Sequence, residues 1–166
     1  MRFLRGLLMV VGAVAIAVAI AAGVSLYSGS RTGFAASAEP SAAEAWIARS
    51  MRVAAIPRQA KEKKMPEAVT PRLVAAGRDH FEDDCAGCHA KDGSGETEIG
   101  RALYPRPPDL RKQETQALTD GELYFIIENG IRLSGMPASG ESPRHEREEG
   151  GPWALVAFIR ELPKRR

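Results

Sequence analysis

Cysteine is scarce in this chain of 166 residues, and only two cysteines occur. Both lie in one five-residue stretch, so no second pair exists for a disulfide elsewhere or for a four-ligand zinc site. No βαβ pattern surrounds them, which argues against a thioredoxin-like dithiol. A strong charge imbalance is also lacking, because the net charge is +2 at pH 7. Charge therefore gives no reason to expect nucleic-acid binding.

Charged side chains are absent from residues 7–26, where only glycine, serine and apolar residues occur. A helix of about 20 such residues crosses the roughly 30 Å hydrocarbon core of a bilayer. Arg2 and Arg5 precede this run, and basic residues favour the cytoplasmic side, so the rest of the chain is expected on the exported side. We predict an uncleaved anchor within residues 1–30. The alternative is a signal peptide cleaved near Ala36-Ser37-Ala38.

A linker is predicted between the anchor and the rest of the chain, over residues 31–70. It contains a possible short helix at residues 41–56, with Ser41 as the N-cap and Glu44 at the capping-box position. This helix has a partial apolar stripe, which is expected to pack on the globular domain; a partner-binding surface is the alternative. The stripe consists of Trp46, Ile47 and Met51.

Residues 71–166 predict an all-α domain in which two long loops, residues 90–118 and 131–152, separate three helices. Loops longer than about 12–15 residues usually need something to pack on, and a buried macrocycle would supply that surface. The predicted helices cover residues 71–84, 119–129 and 153–162.

Cys85-Ala-Gly-Cys88-His89 is the most informative motif in the sequence. Two thiols three residues apart can form two thioethers with the vinyl groups of one haem. The adjacent His89 can then bind the haem iron from one side through an imidazole nitrogen. The motif therefore predicts one covalently attached haem c.

Met136 is the candidate for the second axial ligand, because electron-transfer haems often use one histidine and one methionine. It lies between Gly135, which permits a close backbone approach, and Pro137, which stiffens the loop. The other methionines lie in the anchor, the linker helix or a polar spacer. His80 and His145 are expected at the surface.

With these motifs, residues 71–166 resemble a class I cytochrome c domain and, more narrowly, the bacterial membrane-anchored monohaem c-type cytochromes. The resemblance rests on Gly77 and Phe81 before the haem motif, the proline-rich loop, the Gly-Met-Pro segment and the aromatic C-terminal helix. It implies the cytochrome c fold, with three main helices and long loops around one haem. The terminal helices of the domain should cross at Gly77, with Phe81, Leu155 and Phe158 packed beside the crossing.

The resemblance also implies that a backbone carbonyl, usually of a proline, accepts the Nδ1 proton of His89. Three prolines of the loop offer such a carbonyl, Pro105, Pro107 and Pro108, and Pro107 is our candidate among them. Arg106 or Arg111 is a candidate partner for a haem propionate, because the arginine fork matches a carboxylate, although both could be simple surface charges. Two aromatic residues are candidate contacts of the haem edge, with core packing as the alternative: Tyr104 and Trp153.

Two axial ligands from the protein leave no open iron position, so the predicted function is single-electron transfer and not enzymatic catalysis. The chain is expected in the bacterial inner membrane as a single-pass protein with its haem domain in the periplasm. It would act as a carrier or as the haem subunit of a respiratory or dehydrogenase complex. Redox proteins, themselves membrane-bound, are the expected partners, with no nucleic acid and no small-molecule substrate. The alternative is a haem peroxidase or small-ligand sensor with a labile sixth ligand.

Overall fold

The chain is built from helices and connecting loops. The computed structural model describes residues 2–33, 35, 38–66, 68–140 and 150–164. No β-strand occurs among these residues, and the prediction of an all-α protein is confirmed. Contacts divide the chain into two units, Met1–Ala38 and Glu39–Arg166.

Helix α1 belongs to the first unit and runs from Arg2 to Thr32. Alanine and leucine, which are strong helix formers, are frequent in it, and glycine is too sparse to break it. Its segment Leu4–Arg31 is long and apolar enough to cross a membrane. Residues 36 and 37, at the alternative cleavage site, lie outside the described residues.

The second unit contains three helices before the haem motif and several after it. Several ends of the main helices have a local cause, such as a cap or a proline. The helices are α2 (Ala42–Ala55), α3 (Arg58–Glu62), α4 (Pro71–His80), α5 (Ala86–His89), α6 (Glu98–Ala102), α7 (Gln113–Gln116), α8 (Asp120–Asn129) and α9 (Gly151–Glu161). A π-helical turn (Phe81–Cys85) joins α4 to α5, and a 3₁₀ turn (Leu162–Lys164) follows α9.

Helices α2 and α8 begin where the sequence predicts. The Ser41 hydroxyl accepts a hydrogen bond from the Glu44 N–H at 3.2 Å. At α8 the Thr119 hydroxyl accepts from the Glu122 N–H at 3.2 Å, while the Glu122 carboxylate accepts from the Thr119 N–H at 2.8 Å. This reciprocal pair is a complete capping box, and Gly130 ends the helix with a φ of 66°.

The apolar stripe of α2 faces away from the rest of its unit, so the prediction that it packs on the globular domain is wrong. Trp46, Ile47 and Met51 are 68%, 50% and 67% exposed. The other side of the helix carries the half-buried Arg52 and Val53. Amphipathic spacing shows that a helix has an apolar side, but it does not show what that side meets.

Helix α3 packs closely on α8, although it lies in the segment predicted as a linker. A Cβ atom on Gly121 would come within 2.0 Å of the Ala60 carbonyl oxygen, so only glycine permits this approach. The Lys61 ammonium donates to the Val53 carbonyl at 2.7 Å and lies 3.6 Å from the Glu122 carboxylate. These contacts fix the end of α2 against the helical core.

Helices α4 and α9 cross at Gly77, which confirms the arrangement that the resemblance implies. A Cβ atom on Gly77 would come within 1.9 Å of the Ala154 carbonyl oxygen. Beside the crossing, the ring centroids of Phe81 and Phe158 are 5.1 Å apart. Both rings and Leu155 are at most 1% exposed. The crossing therefore combines a close backbone contact with the most deeply buried side chains of the core.

Candidate functional site

The second unit contains a cavity of about 520 Å³. This volume lies within the range of about 300–1,000 Å³ that is usual for ligand and cofactor sites. Most of its wall is apolar and comes from the π-helical turn, from α8 and α9, and from the loops between. These apolar residues are Phe81, Pro108, Leu110, Leu118, Leu123, Ile126, Ile127, Ile131, Pro137, Leu155 and Ile159.

Cys85, Cys88 and His89 line this cavity together. Cys85 ends the π-helical turn, and the other two residues lie on α5. Turns of this kind are rare and occur often at functional sites. The two sulfurs are not joined in a disulfide. Both thiols and the imidazole therefore belong to one wall of the same cavity.

The loop after α5 forms hydrogen bonds with the backbone of the haem motif. Ala90 turns the chain with a φ of 60°. The Gly95 N–H donates to the His89 carbonyl at 2.8 Å. The Thr97 hydroxyl donates to the Cys88 carbonyl at 3.2 Å. These bonds satisfy backbone carbonyl groups at the end of α5 and fix the direction in which the chain continues after the haem motif.

Burial lowers the pKa of His89, and the Pro108 backbone carbonyl acts in the opposite direction. A lowered pKa favours the neutral ring, which is the form that can bind a metal. Among the described residues, no atom completes a hydrogen bond to the buried Nδ1 of His89. Pro108 lines the cavity beside His89, and Pro107 does not. The structure thus places Pro108, and not Pro107, beside His89.

Met136 also lines the cavity, on the loop that follows α8. The Ile131 N–H donates to the Met136 carbonyl at 3.1 Å. The Ser134 hydroxyl accepts from the Met136 N–H at 3.2 Å and donates to the Ile131 carbonyl at 2.8 Å. A Cβ atom on Gly130 would come within 2.7 Å of the Met136 carbonyl oxygen. The loop is therefore folded back on itself and holds the thioether at the cavity.

Three of the other candidate residues do not line the cavity. The Tyr104 hydroxyl is hydrogen-bonded to the Glu44 carboxylate, which raises the pKa of Tyr104 to about 12. The Arg106 guanidinium pairs with the Glu39 carboxylate at 2.9 Å. Trp153 packs against the hydrophobic core. The structure brings none of these three side chains to the haem motif.

Arg111, the other candidate for a propionate, is engaged by two carboxylates. Its guanidinium donates to both oxygens of Asp109 at 2.8 and 3.0 Å, and to Asp92 at 2.8 Å. The hydrogen bond from Arg111 lowers the pKa of Asp109. Arg111 is therefore part of a network within the loop and does not line the cavity.

Of the two other histidines, His80 lies on α4 and His145 lies beyond α8. His80 is buried, with 4% exposure, so its expected place at the surface is wrong. It lies 3.6 Å from the Asp84 carboxylate, one helical turn further along the chain. His80 does not line the cavity. His145 lies outside the described residues.

Four polar residues that sequence reasoning did not assign to the site line the cavity: Arg52, Asp84, Thr115 and Ser139. Asp84 directly precedes Cys85, so its proximity to the motif was a usable signal. Arg52 comes from α2, far from the motif in sequence. Its one local signal is its place on the helix side opposite the apolar stripe.

The residues present fit a haem c. Two thiols, an imidazole and a thioether at one apolar cavity form the set that attaches and ligates such a haem. The lowered pKa of His89 agrees with an imidazole that serves as a ligand. An apolar wall around a few placed donors is the usual build of a cofactor site.

Comparison with known families gives one match. Residues 72–159, just over half of the chain, match the family model described as cytochrome c oxidase, cbb3-type, subunit III. The matched segment contains the haem motif and Met136, whereas α2 and α3 precede it. No curated protein sequence matches the chain.

Proposed function

Because the chain belongs to the family of cytochrome c oxidase, cbb3-type, subunit III, it is a c-type cytochrome with covalently bound haem c, and we propose that His89 and Met136 are the two axial ligands of its iron. The observation that carries this proposal is the shared cavity, which both residues line together with Cys85 and Cys88. The bound haem supplies a ferric/ferrous couple that accepts and releases one electron at a time.

In this chemistry the protein holds the haem in place and keeps water away from it. Cys85 and Cys88 attach the group at a fixed place, since thioethers are covalent bonds. His89 is kept neutral by burial, and the turn at Ser134 keeps Met136 at the cavity. The apolar walls exclude water from the remaining surface of the cavity. Ligands that stay in place in both oxidation states favour electron transfer and disfavour the binding of a substrate at the iron.

We further propose that α1 tethers this domain to the exported face of a membrane. Its length and hydropathy support this proposal, as do Arg2 and Arg5 at its start. A tether raises the effective concentration of the domain near partners in the same membrane. The first 30 residues would then be the anchor, and the cytochrome domain would extend from residue 71 to the C-terminus.

The family name supports a redox partner within a respiratory oxidoreductase complex. That name describes a subunit of a cytochrome c oxidase. We propose that the chain passes electrons to or from such a complex, as a subunit or as an associated carrier. Electron-transfer contacts of this kind are usually small and transient.

Replacing Met136 with alanine tests the ligand assignment. In the haem-loaded full chain in detergent, Met136→Ala should bind carbon monoxide in the ferrous state, because the sixth position is open. The weak absorption band of a methionine–iron bond in the ferric state should disappear. Met51→Ala is the matched control, since Met51 is 67% exposed on α2.

The wild type and Met51→Ala should both refuse carbon monoxide and keep the band. The assignment is wrong if Met136→Ala stays low-spin and refuses carbon monoxide. Binding of carbon monoxide by the wild type would instead support a labile sixth ligand and thus a ligand-binding function.

A further inference from the structure

We propose that Arg52, on helix α2, holds a propionate of the haem and so makes the segment before the cytochrome domain part of the cofactor site. This inference rests on the haem c of the proposed function but not on the identity of its sixth ligand. The side chain lines the same cavity as Cys85, Cys88 and His89. It comes from outside the family-matched segment, which begins at residue 72.

Arg52 is the one lysine or arginine among the described residues that line the cavity. Its Nε is buried, and within the described part of the chain nothing accepts its hydrogen bond. A buried donor without an acceptor costs about 1–3 kcal/mol, so a guanidinium in this state requires an acceptor. A carboxylate of a group bound in the cavity supplies one, and the arginine fork fits a carboxylate with two bonds.

The charge of Arg52 is also poorly compensated by the protein. Burial lowers the pKa of Arg52, and repulsion from Arg49 adds to this effect. The one carboxylate among the described cavity-lining residues is Asp84, which lies 3.6 Å from His80. A negative charge arriving beside Arg52 would offset part of the cost of burying a cation.

The position of Arg52 is fixed by contacts on both sides along the chain. The Lys61 ammonium donates to the carbonyl of Val53, the next residue, at 2.7 Å. Ile56, one turn further, is 4% exposed. Before it, Arg49 lies 3.9 Å from the Glu114 carboxylate. The guanidinium is thus brought to the cavity by a segment that is itself packed.

The two arginines of the proline-rich loop are already satisfied. Arg106 pairs with Glu39, and Arg111 is held by Asp109 and Asp92. Neither of these arginines lines the cavity. Using either for a propionate would require breaking an ion pair that the fold has made. Arg52 requires no such exchange.

A cation near the iron stabilises the reduced state, because reduction removes one positive charge from the haem. In Arg52→Gln the cation is lost and the propionate keeps its full negative charge. At the midpoint potential of the wild type, the ratio of reduced to oxidised Arg52→Gln should therefore fall severalfold, where a tenfold change corresponds to 59 mV for one electron. Arg52→Lys retains the charge and should show a smaller fall.

The experiment uses the haem-loaded full chain in detergent and measures two quantities. Redox titration gives the midpoint potential, and resonance Raman spectroscopy gives the bending bands of the haem propionates. Arg58→Gln is the matched control, because Arg58 is an exposed arginine on the neighbouring helix α3, where it pairs with Glu62. Arg52→Gln should shift both quantities, and Arg58→Gln should leave the Raman bands unchanged and the potential nearly so.

Unchanged propionate bands in Arg52→Gln would overturn the inference, even if that variant were less stable to heat. If Arg52→Gln fails to load haem, Arg52→Lys decides: unchanged propionate bands in Arg52→Lys overturn the inference, and shifted bands support it. Carbon monoxide binding by Met136→Ala is independent of all these outcomes. A wrong ligand assignment and a wrong propionate partner are therefore distinguishable.

Discussion

At the residue scale, Ser134, two residues before Met136, stabilises the loop that carries this methionine. One hydroxyl group, that of Ser134, accepts a hydrogen bond from the Met136 N–H and donates another to the Ile131 carbonyl. Both bonds lie within the loop that presents the thioether to the cavity. The hydroxyl therefore stabilises the loop conformation in which the methionine can reach the iron.

Replacing Ser134 with alanine should loosen the methionine without removing it. Loss of these bonds costs about 1 kcal/mol, which is about fivefold in an equilibrium constant. We expect the ferric haem-loaded Ser134→Ala protein to bind imidazole about fivefold more tightly than the wild type, as measured by absorbance titration.

Ser50→Ala is the control for this measurement, because Ser50 is exposed on α2. It should bind imidazole as the wild type does. Equal affinities in Ser134→Ala and Ser50→Ala would show that the loop does not depend on this hydroxyl.

Residues of the site differ in how far the sequence reveals them. The thiols and His89 are set by covalent chemistry at fixed spacing, so the motif alone predicts them. Met136 follows from ligand chemistry together with its Gly-Met-Pro surroundings. Arg52 is different, because its role depends on where α2 packs, and nothing in the local sequence encodes that packing.

At the element scale, the crossing of α4 and α9 depends on a missing side chain. Gly77→Ala places a methyl group 1.9 Å from the Ala154 carbonyl oxygen, and the atom it meets is backbone. The helices must move apart, so we expect the free energy of unfolding to fall by about 1–3 kcal/mol. Denaturation of the haem-loaded protein by guanidinium chloride measures this change.

Gly87→Ala is the matched control for this helix crossing. Gly87 lies on α5, and an added Cβ atom there would meet nothing within 4 Å. Alanine in a helix is favoured over glycine by about 0.5–1 kcal/mol, so this variant should be no less stable than the wild type. If Gly77→Ala were as stable as Gly87→Ala, the crossing would not require glycine.

Helices were predictable where a local signal begins or ends them. Ser41, the capping box at Thr119 and Gly130 act within a few residues, so their effect can be inferred from sequence. Helices α3, α6 and α7 were not predicted, because four or five residues are too few to show a helical period. They form where the chain packs on its neighbours, as α3 does on α8 at Gly121.

At the scale of the whole molecule, α1 is predicted to decide where the protein resides. The full chain should stay with the membrane pellet after extraction with alkaline carbonate, and its mass should include the first 30 residues. A double substitution, Ile16→Arg with Ile20→Arg, should reduce this retention. Each arginine near the centre of a spanning helix costs about 2.5–3.5 kcal/mol of insertion free energy.

Ile16→Leu with Ile20→Leu is the control, since it keeps the apolar character of the segment. It should remain in the pellet as the wild type does. A wild-type protein that appears in the soluble fraction without its first residues would identify the segment as a cleaved signal.

The exposed apolar stripe of α2 also affects the fluorescence of the protein, because it contains one of the tryptophans. The chain has two tryptophans: Trp46 is 68% exposed, and Trp153 packs on the core, 4.4 Å from the Tyr124 ring. A water-soluble collisional quencher therefore reaches the first indole far more readily than the second. In Trp153→Phe the fluorescence comes from Trp46, so it reports directly on any molecule that covers the apolar stripe of α2, without an added label.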